Sequence, residues 1–309
     1  MKFLALLGAT ILLAQSASAC PMCASGGPAD FGRYDEPLER YVPKKDSQTV
    51  VLPARKMKRW SVGLDGRTIK ASEGPNDADL HRQSQFGVTV SYRPAANLFL
   101  AARMPFTRMT QKELGEPEEK NSGLGDTEFL ATHNFALKRT AWRPGVTVGV
   151  KVPTGDNNLK TDDSDASVDR LDEHGQLGSG TVDGMLMAHL RRGGMYRFSS
   201  TLGYRVNGEN GSGYRYGSIA WLDCSVSRSI YKSLSAGLGT RLRYSDRNSE
   251  SGEKEFHSGG TMFLITPEVG YSFGNSLNLS AQCSLPVINE LNGEQSEAVG
   301  LSVALTQTF

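Results

Sequence analysis

The sequence predicts an all-β chain, a 12-stranded antiparallel transmembrane β-barrel of the outer-membrane type behind an irregular N-terminal segment. Three observations predict it. From about Lys56 to Phe309 polar and apolar residues alternate with a period of two, which gives each strand two chemically different faces. Long and short connections alternate along the chain, as they do when one end of a barrel closes by tight turns and the other carries loops. The last segment is itself amphipathic, with Leu301, Val303, Leu305 and Phe309 on one face.

Composition narrows the alternatives. Of 309 residues, 34 are Lys or Arg and 33 are Asp or Glu, a formal net charge of +1, and no run of five basic residues occurs. Such a balance gives no general attraction for nucleic acid, so no nucleic-acid partner is expected. After residue 19 no stretch of about 18 apolar residues occurs, which excludes a helical membrane protein. A soluble β-sandwich would seldom need strands of ten residues or more, since about 5 or 6 is usual, and has no reason to keep the loop rhythm.

Residues 1–19 read as a secretory signal peptide. Lys2 supplies the charged start, Phe3 to Leu13 the apolar stretch, and Ala17, Ser18 and Ala19 the small residues of a cleavage site. Cys20 follows directly, so lipid attachment there is the rival to simple cleavage, although Ala17 stands where a lipoprotein signal usually has Leu. Either way the chain is exported, and the outer membrane of a Gram-negative-type bacterium is the expected location. Residues 20–55 hold Pro21, Gly26, Gly27, Pro28, Pro37, Pro43 and Pro53 with little periodicity, which predicts an irregular periplasmic segment. Residues 56–309 form the barrel.

Twelve strands are expected, at roughly 57–68, 84–94, 97–105, 125–137, 142–153, 181–191, 194–206, 214–227, 232–245, 261–273, 276–286 and 297–309. Within the eleventh, Leu277, Leu279, Ala281, Cys283 and Leu285 alternate with Ser276, Asn278, Ser280, Gln282 and Ser284. Val146, Val148, Val150 and Val152 alternate with Gly145, Thr147, Gly149 and Lys151 in the fifth, and Phe86, Val88, Val90 and Tyr92 with Gly87, Thr89, Ser91 and Arg93 in the second. The aromatic Phe309 closing an amphipathic strand matches the kind of signal read by the barrel assembly machinery, which is an expected partner alongside outer-membrane lipid.

Two short segments carry a resemblance. Ser122-Gly123-Leu124-Gly125-Asp126 opens the fourth strand, and Lys151-Val152-Pro153-Thr154-Gly155-Asp156 closes the fifth. The pair resembles the outer-membrane barrels grouped as a meta-pathway phenol-degradation family, often labelled simply transporters. The resemblance spans about residues 57–309 and implies a monomeric barrel placed near pathways for aromatic compounds, passing small hydrophobic molecules. It brings no set of functional residues with it.

If one face meets lipid, the other lines a lumen. Arg59, Arg67, Arg93, Arg103, Arg143, Lys151, Arg191, Arg197, Arg205, Arg215, Arg241 and Arg243 are expected there, against Asp65, Asp126, Glu128, Asp183, Asp223 and Glu268. Arginine in a wet pore attracts anions and grips carboxylates in a fork. Alternatively the charges pair across strands and stiffen the wall. The acidic loop 154–180, with Asp156, Asp162, Asp163, Asp165, Asp169, Asp172 and Glu173, is either a solvated loop or a weak binder of divalent cations.

Cys20-Pro21-Met22-Cys23 could close a small disulfide, hold a soft metal or carry the lipid. Cys224 and Cys283 are expected on the lipid face as small apolar residues. Met185, Met187 and His189 share one face of the sixth strand, a weak copper-type set that also suits plain filling of a barrel. For nucleophilic catalysis, only His257-Ser258 puts a His beside a Ser, and it lies in a loop, so no enzyme is expected. No phosphate loop, dinucleotide fingerprint or zinc cluster is present, so no cofactor is expected either. The leading expectation is diffusive passage of small, aromatic or hydrophobic solutes. The alternatives are an anion-preferring pore with an arginine-rich lumen and a non-transporting barrel that displays its loops.

Overall fold

The computed structural model describes residues 59–309 apart from 74–78, 113–118, 138–139, 161–169, 232, 275 and 294. The expected signal peptide, the segment 20–55 and the Cys20/Cys23 pair lie outside the described residues.

The described chain is a closed antiparallel β-barrel. Its strands in chain order are β1 (Trp60–Glu73), β2 (Asp79–Ala95), β3 (Leu98–Lys112), β4 (Glu119–Leu124), β5 (Thr127–Asn134), β6 (Trp142–Val152), β7 (Asp183–Arg192), β8 (Tyr196–Val206), β9 (Tyr214–Arg215), β10 (Ile219–Tyr231), β11 (Leu234–Ser245), β12 (Ser249–Glu250), β13 (Glu253–Lys254), β14 (Gly260–Phe273), β15 (Leu277–Leu291), β16 (Ser296–Glu297) and β17 (Gly300–Thr308). β4 and β5 are two halves of one wall strand broken at Gly125 and Asp126, and β16 and β17 are likewise two parts of one, so the wall has 12 strands. The ring closes where β1 pairs with β17, from Ser61↔Thr308 to Thr68↔Leu301. Closure leaves no long edge whose amides would sit unpaired in hydrocarbon.

The alternation separates lipid from lumen as expected. Phe106 is 46% exposed while its neighbour Thr107 is 2% exposed, and Leu186 at 57% precedes Met187 at 6%. At the end with the short turns, aromatic pairs ring the barrel: Trp60 with Tyr92 at 4.4 Å and Trp142 with Phe198 at 5.5 Å between ring centroids. Arg192 lies over the Trp142 ring and Arg228 over that of Tyr196. Amphipathic rings capped by cations belong at a membrane–water interface. Cys224 and Cys283 are free thiols on this outward face.

The strands outrun the expected segments on the side of the long loops. β1 and β2 continue pairing to Glu73↔Asp79, and β2 with β3 to Leu80↔Lys112. Alternation marks only the stretch that crosses hydrocarbon, whereas the backbone ladder needs no apolar side chain to continue. Two further differences are local. The eighth wall strand begins at Ile219 rather than 214, because Tyr214–Arg215 pairs with β12, which pairs in turn with β13, in a small three-stranded sheet among the outer loops. In β15 the register shifts between Phe263↔Ile288 and Leu264↔Pro286, so Val287 is the extra residue of a bulge beside a proline that cannot donate to the ladder.

Candidate functional site: the lumen and its outer cap

Cross-strand register builds the interior in layers. One rung runs Leu130, Gly149, Met185, Arg205, Ile219 across five neighbouring strands, and the next places Met187, Gly203 and Trp221 side by side. Leu130, Met185, Met187, Ile219 and Trp221 form one buried apolar cluster inside the barrel. Glycine makes this possible at one position above all. A Cβ on Gly203 would occupy the space taken by the Trp221 ring.

Around the cluster run ion pairs. Arg103 grips Asp65 with Nη2 at 2.7 Å and Nε at 3.2 Å and donates to Gln85 Oε1 at 3.1 Å. Arg241 forms the same fork with Asp223, at 2.6 and 2.8 Å. Arg243 pairs with Glu297. Lys151 stands between two carboxylates, 2.6 Å from Asp183 and 3.1 Å from Asp126, and donates to Ser179 Oγ at 2.7 Å.

The two glycine-rich motifs meet here. Asp126 accepts hydrogen bonds from Gly155 N at 3.1 Å and from Ser179 N and Oγ, both at 2.8 Å. Thr154 Oγ1 donates to Gly125 O at 3.0 Å and accepts from Thr127 N at 2.9 Å. Asp156 O accepts from Leu177 N and Gly178 N. Together they tether both ends of loop 154–180 to the wall where β4 breaks into β5. Leu177 then lies against Gly123, where any side chain would displace it.

Three outer loops join into a cap. The carboxylate of Glu173, in the short 3₁₀ turn Glu173–Gly175, accepts from Arg170 at 2.6 Å, Ser212 at 2.7 Å and Asn210 at 3.1 Å. Tyr216 donates to Glu173 O at 2.8 Å and packs edge-on against Tyr214, which donates to Glu255. Burial alone would raise the Glu173 pKa, but the hydrogen bonds from Arg170, Ser212 and Asn210, with the Arg170 charge, hold it below the ordinary 4.5. A carboxylate with a depressed pKa stabilises the folded cap fully above that ordinary value and loses this contribution as pH falls through the lower, folded one. Amide exchange across 207–217, corrected for intrinsic rates, should therefore quicken as pH drops below 4.5. The Glu173→Gln variant should not show that acid dependence.

Cavities lined by the described residues remain in this interior. One lies under the cap and is lined by Arg67, Gln83, Glu128, Arg205, Tyr216 and Ile219 among others. Another runs along a wall of small inward residues, Ser280, Ser284, Gly300, Ser302 and Ala304, facing Arg241 and Arg243. Arg67 lines both.

A family described as "Putative MetA-pathway of phenol degradation" matches residues 96–287, more than half of the chain. The chain belongs to this family. No curated protein sequence matches it. Among solved structures it is similar to an outer-membrane channel from Pseudomonas putida F1, with a TM-score of 0.66, 14% identity, and 82% of this chain and 96% of that one covered. It is also similar to the β-domain of a Bordetella autotransporter, with a TM-score of 0.54, 10% identity, and 81% and 100% covered. At such identities the likeness carries the fold, an outer-membrane β-barrel.

In this family member the residues expected in the lumen divide into three groups. Arg103, Lys151, Arg205, Arg241 and Arg243 lie inside the barrel, and Glu268 faces Gly237 across the inner wall. Arg59, Arg93, Arg143 and Arg197 keep the inward parity of their strands but lie near the end with the short turns, where Arg59 and Arg143 are exposed and Arg93 stacks over Phe99 at 4.1 Å. Arg215 is a correction. It lies exposed in the loop sheet because its strand starts later, so it does not face the lumen. Glu297 was overlooked because the twelfth strand reads as beginning at that residue, yet it pairs with Arg243. Trp221 and Ser179 were overlooked too: Trp221 belongs to an apolar layer that an amphipathic reading does not expect on a wet face.

The weak metal set is placed otherwise. Met185 and Met187 sit in the apolar cluster and His189 Nε2 meets Asn134 Oδ1 at 2.9 Å. Among the described residues no three His, Cys, Asp or Glu side chains come together as a metal set. Ser258, beside His257, is buried and donates to Glu255 O while accepting from Asn248 N, which makes its hydroxyl part of a turn. Of the acidic loop, Asp162, Asp163, Asp165 and Asp169 lie outside the described residues, while Asp172 caps the turn through Glu173 N.

Proposed function

We propose that the barrel is an outer-membrane channel through which small molecules, aromatic and hydrophobic ones among them, diffuse without energy coupling. The observation that carries this is the pair of cavities that adjoin at Arg67, one beneath the cap and one along the wall of small residues. Ile219, the member of the apolar layer that lines the cavity under the cap, gives an aromatic solute a surface to pass, and the family description and the resemblance to a channel of Pseudomonas putida F1 support the same reading. An anion preference is the second reading, favoured by Arg59, Arg93, Arg143 and Arg197, which keep the inward parity at the end with the short turns.

The test is uptake into proteoliposomes of a neutral phenol and of small organic anions, together with reversal potential under a salt gradient. Passage of the phenol supports the leading reading, and strong anion preference the second. No flux in any arm would leave a closed barrel that displays its loops. Ser302 lies directly opposite Arg67 on the neighbouring strand and lines the second cavity. Ser302→Trp should lower the flux roughly tenfold or more while the barrel still folds, because a bulky ring fills a path built from small side chains. Unchanged flux in that variant would rule out the lumen path.

A further inference from the structure

The cavity beneath the cap is lined by three charged side chains that each keep one buried polar atom without a hydrogen-bond partner among the described residues. Arg205 and Glu128 are 6% and 7% exposed. Among the described residues Arg205 Nε, Arg67 Nε and Glu128 Oε2 are buried without a hydrogen-bond partner, and all three residues line this cavity. The other charges there have partners: Arg103 has Asp65, Lys151 has Asp126 and Asp183, and Asp246 accepts from Tyr244. Among these three groups, two guanidinium nitrogens and one carboxylate oxygen are left unsatisfied. Leaving such groups unpaired is costly, and the cost is recovered by a ligand that supplies what they lack.

What they lack is specific. A guanidinium fork receives a carboxylate, and an ionised carboxyl receives a hydrogen-bond donor. Arg205 stands directly opposite Ile219 and Met185 on neighbouring strands, and Trp221 begins the next rung. Charge and apolar surface therefore meet within one side chain's length, in the arrangement usual for small-molecule sites.

We propose that this cavity is a binding site for a small hydroxylated aromatic carboxylate. Its carboxylate is received by Arg205 and Arg67, its hydroxyl donates to Glu128, and its ring lies toward Ile219 and Trp221. The site rests on the channel reading and names the solute that the channel would select.

Calorimetric titration of the full barrel in detergent, with 4-hydroxybenzoate, benzoate, phenol and acetate as probes, tests it. 4-Hydroxybenzoate should bind most tightly, with benzoate next. Arg205→Gln should weaken it roughly 10- to 100-fold through the lost charge-assisted bonds, Arg205→Lys should restore part of that, and Glu128→Gln should narrow the gap between 4-hydroxybenzoate and benzoate. Arg228→Gln, on the outer surface, should bind as the parent does. Heat-dependent gel mobility reports whether each variant is folded. Equal binding of all four probes, or parental affinity in folded Arg205→Gln, overturns the site. Phenol flux without 4-hydroxybenzoate binding overturns the site and leaves the channel standing, whereas binding with no flux of any solute overturns the channel and leaves the site standing.

Discussion

Replacing Lys151 by methionine should destabilise the barrel by about 3–5 kcal/mol, because it leaves two buried carboxylates without the cation that stands between them. The ammonium is 2.6 Å from Asp183 and 3.1 Å from Asp126, and those two carboxylates are 1% and 6% exposed. The loss is one of imbalance rather than of favourable attraction, since an ion pair removed whole is often neutral. Lys151→Met combined with Asp126→Asn and Asp183→Asn should therefore regain most of the stability. Urea unfolding of the reconstituted barrel, followed by tryptophan fluorescence, measures both variants. A Lys151→Met midpoint equal to the parent's would show that the two carboxylates are not held by this charge. The same variant should also loosen loop 154–180, because Asp126 fixes Ser179 and Gly155 and orients them against Lys151.

The wall was legible in the sequence and its fittings were not, for a physical reason. Lipid imposes a strict demand on every second residue, so the run from Leu277 to Leu285 announces its strand and its outward face without any other information. The interior imposes no single demand. Arg103, Thr107 and Met109 all lie buried on one face of β3, and their partners come from β1 and β2, which no spacing within β3 can reveal. The excess of arginine was readable as a total, but which cations are spent was not: Arg241 and Asp223 stand directly opposite each other on neighbouring strands, whereas Arg103 reaches Asp65 two strands away across Gly87. The two glycine motifs were visible as strings. Their task, tethering a loop through Asp126 and Thr154, depends on Ser179, which is more than twenty residues beyond either string.

Trp221→Ala should act in two opposite directions at once. The indole is 3% exposed and belongs to the apolar layer of the lumen, so truncating it should cost about 3–5 kcal/mol, part of it from the cavity left behind. The void left beside Ile219, which lines the cavity under the cap, should widen that cavity, so flux of small aromatic solutes in proteoliposomes should rise even as urea resistance falls. A destabilised barrel that leaked non-specifically would pass large dextrans as well, and size exclusion in the same assay separates the two. Gly203 supplies an internal check. Gly203→Ala alone should destabilise by about 1–3 kcal/mol, since its Cβ would fall within the indole and cores resist overfilling. In the Trp221→Ala background the same substitution should be nearly neutral, giving a coupling of about 0.5–3 kcal/mol between residues in contact. Additive effects would mean that the ring does not lie over Gly203.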